Sequence, residues 1–207
     1  MNFRTFTQTF NEYIPLSVQQ IRLQERDFAL QQLHIWEKKG RLQPLIKGWR
    51  IHPKTLQEVG IWAVIANMIY EPSYLSLEWA LRHYDLIPEE VFQYTSCTTK
   101  KTQTHHLSVG SFAYRKIHPR YYRGYDLCTL GRYRTIRIAT PEKTLCDYIY
   151  LHPEMASFED FEEMRINTFT WKEIASQERL QEYASHYPKA TQKRIQTFIS
   201  YLATNDV

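Results

Sequence analysis

The period of the apolar residues changes at Gly40, and no other feature constrains the fold as much. Before it, apolar side chains recur at helical spacing in three short runs. Phe6, Phe10 and Tyr13 mark a first helix that ends before Pro15, because the residue preceding a proline is pushed out of the α region. Leu16 to Leu23 follows, with Ser17 placed to cap a short second helix and Val18 and Ile21 facing inward. Asp27 is placed to cap a third helix running to about Lys39. Ala29, Leu33 and Trp36 make its apolar face, and Gln31, His34 and Lys38 its polar face, with Gln32 beside them. Lys38 and Lys39 suit the negative end of the helix dipole, and Gly40 is a good terminator. After Gly40, residues 41–52 are short, basic and strand-like around a Lys47-Gly48 turn. Three short helices followed by a small basic hairpin make the layout of a winged helix-turn-helix. Residues 1–53 are expected to form one, with a boundary at Pro53-Lys54.

Residues 54–207 read as a second, α+β domain. Leu56 to Ile69 is apolar nearly all round, which predicts a buried helix, and the most apolar stretch, Val59 to Tyr70, is too short to span a bilayer. Ser76 is placed to cap a helix through about Tyr84, with Glu78 in its first turn. Phe92 to Thr99, His106 to Val109, Phe112 to Ile117 and Tyr133 to Ala139 are β-branched or aromatic, with Gly110-Ser111 and Gly131-Arg132 as turns. They predict an antiparallel meander of four or five strands. Thr140-Pro-Glu-Lys143 is a helix start, with Thr as cap and Pro at the first helical position. Ile195, Phe198, Ile199 and Leu202 predict a helical C-terminus.

Charge is distributed in blocks. Residues 1–55 hold nine Lys/Arg against four Asp/Glu, and residues 100–141 hold nine against one. Residues 56–99 hold one against six, and residues 142–207 seven against eleven. A basic block of domain size is the footprint of a nucleic-acid binder. In a major groove, Gln pairs bidentately with adenine and Arg with guanine, while Lys and Arg neutralise phosphates. The expected DNA-contacting residues are Arg22, Arg26, Gln31, Gln32, His34, Lys38, Lys39, Arg41, Lys47 and Arg50. A second basic surface is expected at Lys100, Lys101, Arg115 and Lys116. There, basic residues alternate with Phe112, Tyr114, Tyr121, Tyr122 and Tyr125, so the strands could touch flanking DNA or stack RNA bases. The alternative is that these rings are core and the cations pair with the acidic segments on either side.

Catalytic motifs are missing: there is no P-loop, GxGxxG, HExxH or GxSxG. His105-His106 lacks metal-ligand spacing on a helix. Glu142-Lys143 could in principle serve a metal-dependent nuclease, but a capped helix start explains both residues. No catalytic residue, metal or cofactor is expected. Cys97, Cys128 and Cys146 form neither a CxxC pair nor an even disulfide framework. The first ten residues lack the basic-then-apolar pattern of a signal peptide. A cytoplasmic protein without membrane attachment is the expectation.

Several segments in order resemble the AbiEi-type antitoxins, the transcriptional-regulator half of abortive-infection (type IV toxin–antitoxin) phage-defence operons. They are Ile65-Ala-Asn-Met-Ile-Tyr-Glu-Pro-Ser-Tyr-Leu-Ser-Leu-Glu-Trp-Ala-Leu81, Leu86-Ile-Pro-Glu89 and Thr95-Ser-Cys-Thr-Thr-Lys-Lys101. Further on come Gly110-Ser-Phe-Ala-Tyr114, Ile138-Ala-Thr-Pro-Glu-Lys-Thr-Leu-Cys-Asp147 and Met164-Arg-Ile-Asn167. The third helix departs from that pattern, with Ile35 where the family usually carries Arg and Trp36 in place of a Leu. The resemblance implies a winged-helix repressor of its own operon, bound to double-stranded operator DNA. It also implies an antitoxin domain opposing a nucleotidyltransferase-type toxin encoded nearby, often without a stable complex. Two other classes stay open: a protein-interaction module that docks through the winged helix, and a metal-dependent nucleic-acid enzyme.

Overall fold

The computed structural model describes residues 1–10, 15–46, 48–107, 110–129 and 135–204. The chain is mixed α+β. Helix α1 (Phe3–Phe10) buries Phe6 and Phe10. Strand β1 (Leu16–Ser17) leads into α2 (Val18–Gln24) through a reciprocal cap. The Ser17 hydroxyl accepts from the Gln20 N–H at 3.0 Å, and Gln20 Oε1 accepts from the Ser17 N–H at 2.9 Å. Helix α3 spans Gln31–Lys38 and stops at Gly40, whose φ of 66° an L side chain would resist. Strands β2 (Gln43–Pro44) and β3 (Trp49–Ile51) follow, and the antiparallel sheet runs β1-β3-β2.

The third helix starts later than Asp27 predicts. Its N-cap is Leu30, with no side-chain cap, and Ala29 lies exposed ahead of it. The chain uses residues 25–30 to turn Phe28 inward, where its ring lies 5.6 Å from Phe6 and 5.9 Å from Trp36. Burying that ring outweighs one exposed cap, worth about 1 kcal/mol.

The 3₁₀ turn Pro53–Gln57 and a left-handed Gly60 (φ 82°) precede α4 (Ile61–Ile69). The apolar helix is thus shorter than expected, but its Ile61 and residues 63–67 are buried as foreseen. Then come β4 (Ser73–Leu75), α5 (Leu77–His83), β5 (Gln93–Thr98), β6 (Gln103–Leu107), β7 (Gly110–Lys116), β8 (Tyr125–Thr129) and β9 (Thr135–Ala139). Their order is β6-β7-β5-β4-β9-β8. The sheet is mixed, which corrects the antiparallel meander: β5 pairs with β7, and β4 with β9, in parallel. The physical reason lies in side-chain polarity. Phe112 and Tyr114 on β7 need burial on both flanks, so β7 inserts beside β5. The polar strand Gln103–Leu107 takes the edge, where unpaired backbone meets water. Gly110 and Ser111 belong to β7 rather than to a turn. The expected turn at Gly131-Arg132, residues Tyr13, Lys47 and Val109, and the start of the last predicted strand lie outside the described residues.

The remainder is helical: α6 (Pro141–Leu151), α7 (Phe158–Glu163), α8 (Thr168–Ile174), α9 (Gln177–Ser185) and α10 (Lys189–Thr204). Thr140 caps α6 as its sequence says, accepting from the Lys143 N–H. Ile195 and Phe198 of α10 are buried, with Ile199 and Leu202 packed at the margin. Helix α4 covers one face of the large sheet, reaching Leu75, Phe112, Tyr114 and Ile138. The α6–α10 group covers the other face at Tyr74, Cys97 and Ala139. A third cluster, Phe6, Phe10, Leu16, Ile21, Leu33, Trp36 and Leu42, lies in the N-terminal body. Among the described residues, no helix is long and apolar enough to cross a membrane.

Candidate nucleic-acid interface

Aromatic packing holds α3 in place. Trp36 is buried with its ring 4.7 Å from Phe6 and 5.1 Å from Phe3, in an edge contact with the latter. With Leu33 and Trp36 turned in, the helix leaves Gln31, His34, Ile35 and Lys38 exposed, and Lys39 and Arg41 continue that surface. The Arg41 guanidinium lies 5.3 Å above the Phe3 ring. Arg22, in the last turn of α2, and Arg26, in the connection to α3, are also exposed. Gln32 is half-buried, and its Oε1 has no hydrogen-bond partner among the described residues.

Arg50 stands apart from this set. Its Nε donates to Glu37 Oε1 at 2.7 Å, and its side chain is only 13% exposed. Glu37 Oε2 lies 3.1 Å from His34 Nδ1. Glu37, absent from the sequence-based set, thus ties α3 to β3 and orients His34. The (i, i+3) spacing of His34 and Glu37 was its only local signal. The apolar Ile35, 48% exposed amid these polar groups, was also missed.

The second basic set does not assemble as one surface. Lys100, Lys101 and Lys116 come together at one end of the sheet, where the Thr102 hydroxyl accepts from the Lys116 N–H at 3.0 Å. Lys100 Nζ lies 5.4 Å above the Tyr70 ring, and the Lys101 carbonyl accepts from the Tyr70 hydroxyl. Arg115 pairs in register with Cys97 and faces the opposite side from Lys116. Phe112, Tyr114 and Tyr121 are core, and Tyr122 and Tyr125 pack on Tyr74, so these rings are not free to stack bases. Arg137 lies 3.7 Å from Glu71.

A buried polar cluster underlies α6. Asp147 accepts from the Tyr74 hydroxyl at 2.7 Å, the Ser76 hydroxyl at 3.0 Å, the Tyr187 hydroxyl at 2.7 Å and Lys143 Nζ. Lys143 also donates to the Tyr187 oxygen at 2.6 Å. Ser76 therefore does not cap α5 as its position suggests: no side-chain cap bond forms there. Burial, and then the Asp147 charge, push the Tyr74 and Tyr187 hydroxyls well above the ordinary tyrosine range, so both stay protonated donors. Burial likewise pushes the Cys97 thiol up. Gly124 makes this packing possible: a Cβ there would sit 3.0 Å from the Tyr183 ring and 3.1 Å from the Lys143 stem, at a φ of 73°. Glu142 is buried and accepts from the Ser176 N–H at 2.8 Å. Both members of Glu142-Lys143 are thus enclosed: Lys143 is fully engaged, and Glu142 is held through Oε1, while its Oε2 has no hydrogen-bond partner among the described residues. Among the described residues, no group of three or more His, Cys, Asp or Glu could hold a metal ion. No family model matches this chain, and no curated protein does either.

Proposed function

We propose that residues 1–53 form a winged helix-turn-helix that reads double-stranded DNA with α3. The observation carrying this reading is the order α1-β1-α2-α3-β2-β3 around an antiparallel β1-β3-β2 sheet, with the polar face of α3 turned outward. In this reading Gln31 and His34 meet base edges, and Lys38, Lys39, Arg41, Arg22 and Arg26 neutralise phosphates and set register. Arg50 acts from behind, holding α3 to the wing through Glu37. The resemblance to AbiEi-type antitoxins extends the proposal. The protein represses its own operon in the cytoplasm, and the rest of the chain counteracts a nucleotidyltransferase-type toxin.

The test is binding to the upstream DNA of its own operon across a salt series, beside a Lys38→Glu/Lys39→Glu/Arg41→Glu variant. Selective binding is expected, with a salt slope that falls in the variant by roughly 0.9 per lost phosphate contact. Rescue of growth on co-expression with the neighbouring nucleotidyltransferase tests the antitoxin role. A second reading, docking of the N-terminal helices on a protein, draws on the exposed Leu23 of α2 and Ile35 of α3. Absence of selective DNA binding at every salt concentration would favour it.

A further inference from the structure

His34 stands midway along the outward face of α3, its side chain 68% exposed, with Gln31 one turn before it and Lys38 one turn after it. Its ring is nevertheless held on one side. His34 Nδ1 lies 3.1 Å from Glu37 Oε2, and the other carboxylate oxygen, Oε1, accepts from Arg50 Nε at 2.7 Å. The side chains of Arg50 and Glu37 are 13% and 18% exposed, so this inner pair is largely shielded from water while the imidazole projects outward. His34 Nε2, on the far side of the ring, has no partner among the described residues. A chain of three groups from two elements, Arg50 on β3 and Glu37 and His34 on α3, therefore fixes which ring nitrogen faces outward.

We propose that His34 makes α3 selective for a base that carries an exocyclic amino group, adenine or cytosine, and that Glu37 and Arg50 are the positioning residues that set this choice. The inference rests on the reading of residues 1–53 as a DNA-binding body. The Glu37 carboxylate can only accept, so in the neutral ring the hydrogen sits on Nδ1 and Nε2 carries a lone pair. In the major groove adenine N6 and cytosine N4 offer hydrogens to such a lone pair. Guanine O6 and N7 and thymine O4 are acceptors, and each would set two lone pairs against one another. Arg50 makes the choice one-way: with Oε1 engaged by the guanidinium, the carboxylate cannot turn from the ring without giving up a largely buried ion pair.

The experiment selects bound sequences from a pool of duplexes with a randomised core, using the full chain at about pH 8, where imidazoles are neutral. The natural chain is expected to enrich adenine or cytosine over guanine and thymine at one position, by about fivefold or more. His34→Ala should lose that enrichment and keep the rest of the site. Glu37→Gln gives the decisive result. Its amide oxygen accepts from Arg50 only if its NH₂ group faces His34, so Nδ1 becomes the acceptor and the hydrogen moves to Nε2. That variant should admit guanine, which offers only acceptors, and exclude cytosine, which offers only a donor. Glu37→Ala, which frees the ring, should flatten the preference instead. Ring-nitrogen NMR shifts of His34 in the free protein, assigned against His34→Ala, should place the hydrogen on Nδ1 in the natural chain and on Nε2 in Glu37→Gln. His34 is exposed, so removing its ring keeps the fold, and circular dichroism checks this. A preference unmoved by His34→Ala or Glu37→Gln overturns the inference and leaves DNA binding by α3 standing. So does equal flattening in both Glu37 variants, as expected of a merely structural carboxylate, or hydrogen on Nε2 in the natural chain. No selective binding at any salt concentration overturns both the inference and the DNA reading.

Discussion

Asp147 gathers four donors from β4, the start of α5, its own helix and the segment before α10, so one carboxylate ties together elements far apart in sequence. Lys143 and Asp147 sit one turn apart on α6, and both are buried. A buried pair is costly to assemble, and costlier to break from one side, because the remaining charge stays desolvated. Lys143→Met is expected to destabilise the fold by about 3–5 kcal/mol in urea unfolding. The double variant Lys143→Met/Asp147→Leu should cost less than the sum of the two single changes, and strict additivity would disprove the coupling. The (i, i+4) spacing of Lys143 and Asp147 was the local signal of their pairing, which sequence reasoning missed. Tyr74, Ser76 and Tyr187 carry no such signal, because nothing local marks a hydroxyl whose acceptor lies 40 or more residues away.

Element boundaries follow local chemistry wherever the local group has no better use. Ser17 and Gln20 close a capping box at the start of α2, and Thr140 with Pro141 starts α6, as their sequences indicate. Ser17→Ala is expected to cost about 1 kcal/mol, read as a shift of the urea midpoint with an unchanged slope. Asp27 and Ser76 have the same capping chemistry, yet neither caps. At Asp27, inward packing of Phe28 delays α3, and at Ser76 the hydroxyl is claimed by Asp147. Helix α3 shows both levels together. Its buried face, Leu33 and Trp36, was legible from spacing, whereas the hold of Glu37 on Arg50 depends on where β3 lands.

At the scale of the molecule, the N-terminal elements and the large sheet share a core. Leu45 and Ile51 pack in one cluster with Ile61, Val64 and Ile65 of α4 and with Leu75 and Ile138 of the sheet. Ile61 is fully buried at this junction. Ile61→Ala is therefore expected to cost about 2–5 kcal/mol and to raise amide exchange in α2 and α6 together. Faster exchange in α6 alone would show that the two parts unfold separately. The sequence left β4, β8 and α7 to α9 unmarked, and by itself determined the segments with a clear apolar period, the helix starts with unclaimed caps and the basic character of the chain. Those properties depend on neighbours within a few residues. Tertiary structure alone decided the strand order, the parallel pairs, the split of Arg115 from Lys100, Lys101 and Lys116, and the exposure of Phe92. Strand pairing joins residues distant in sequence through backbone groups that every strand carries alike, so competition for the shared core, not local pattern, chose among the possible sheets.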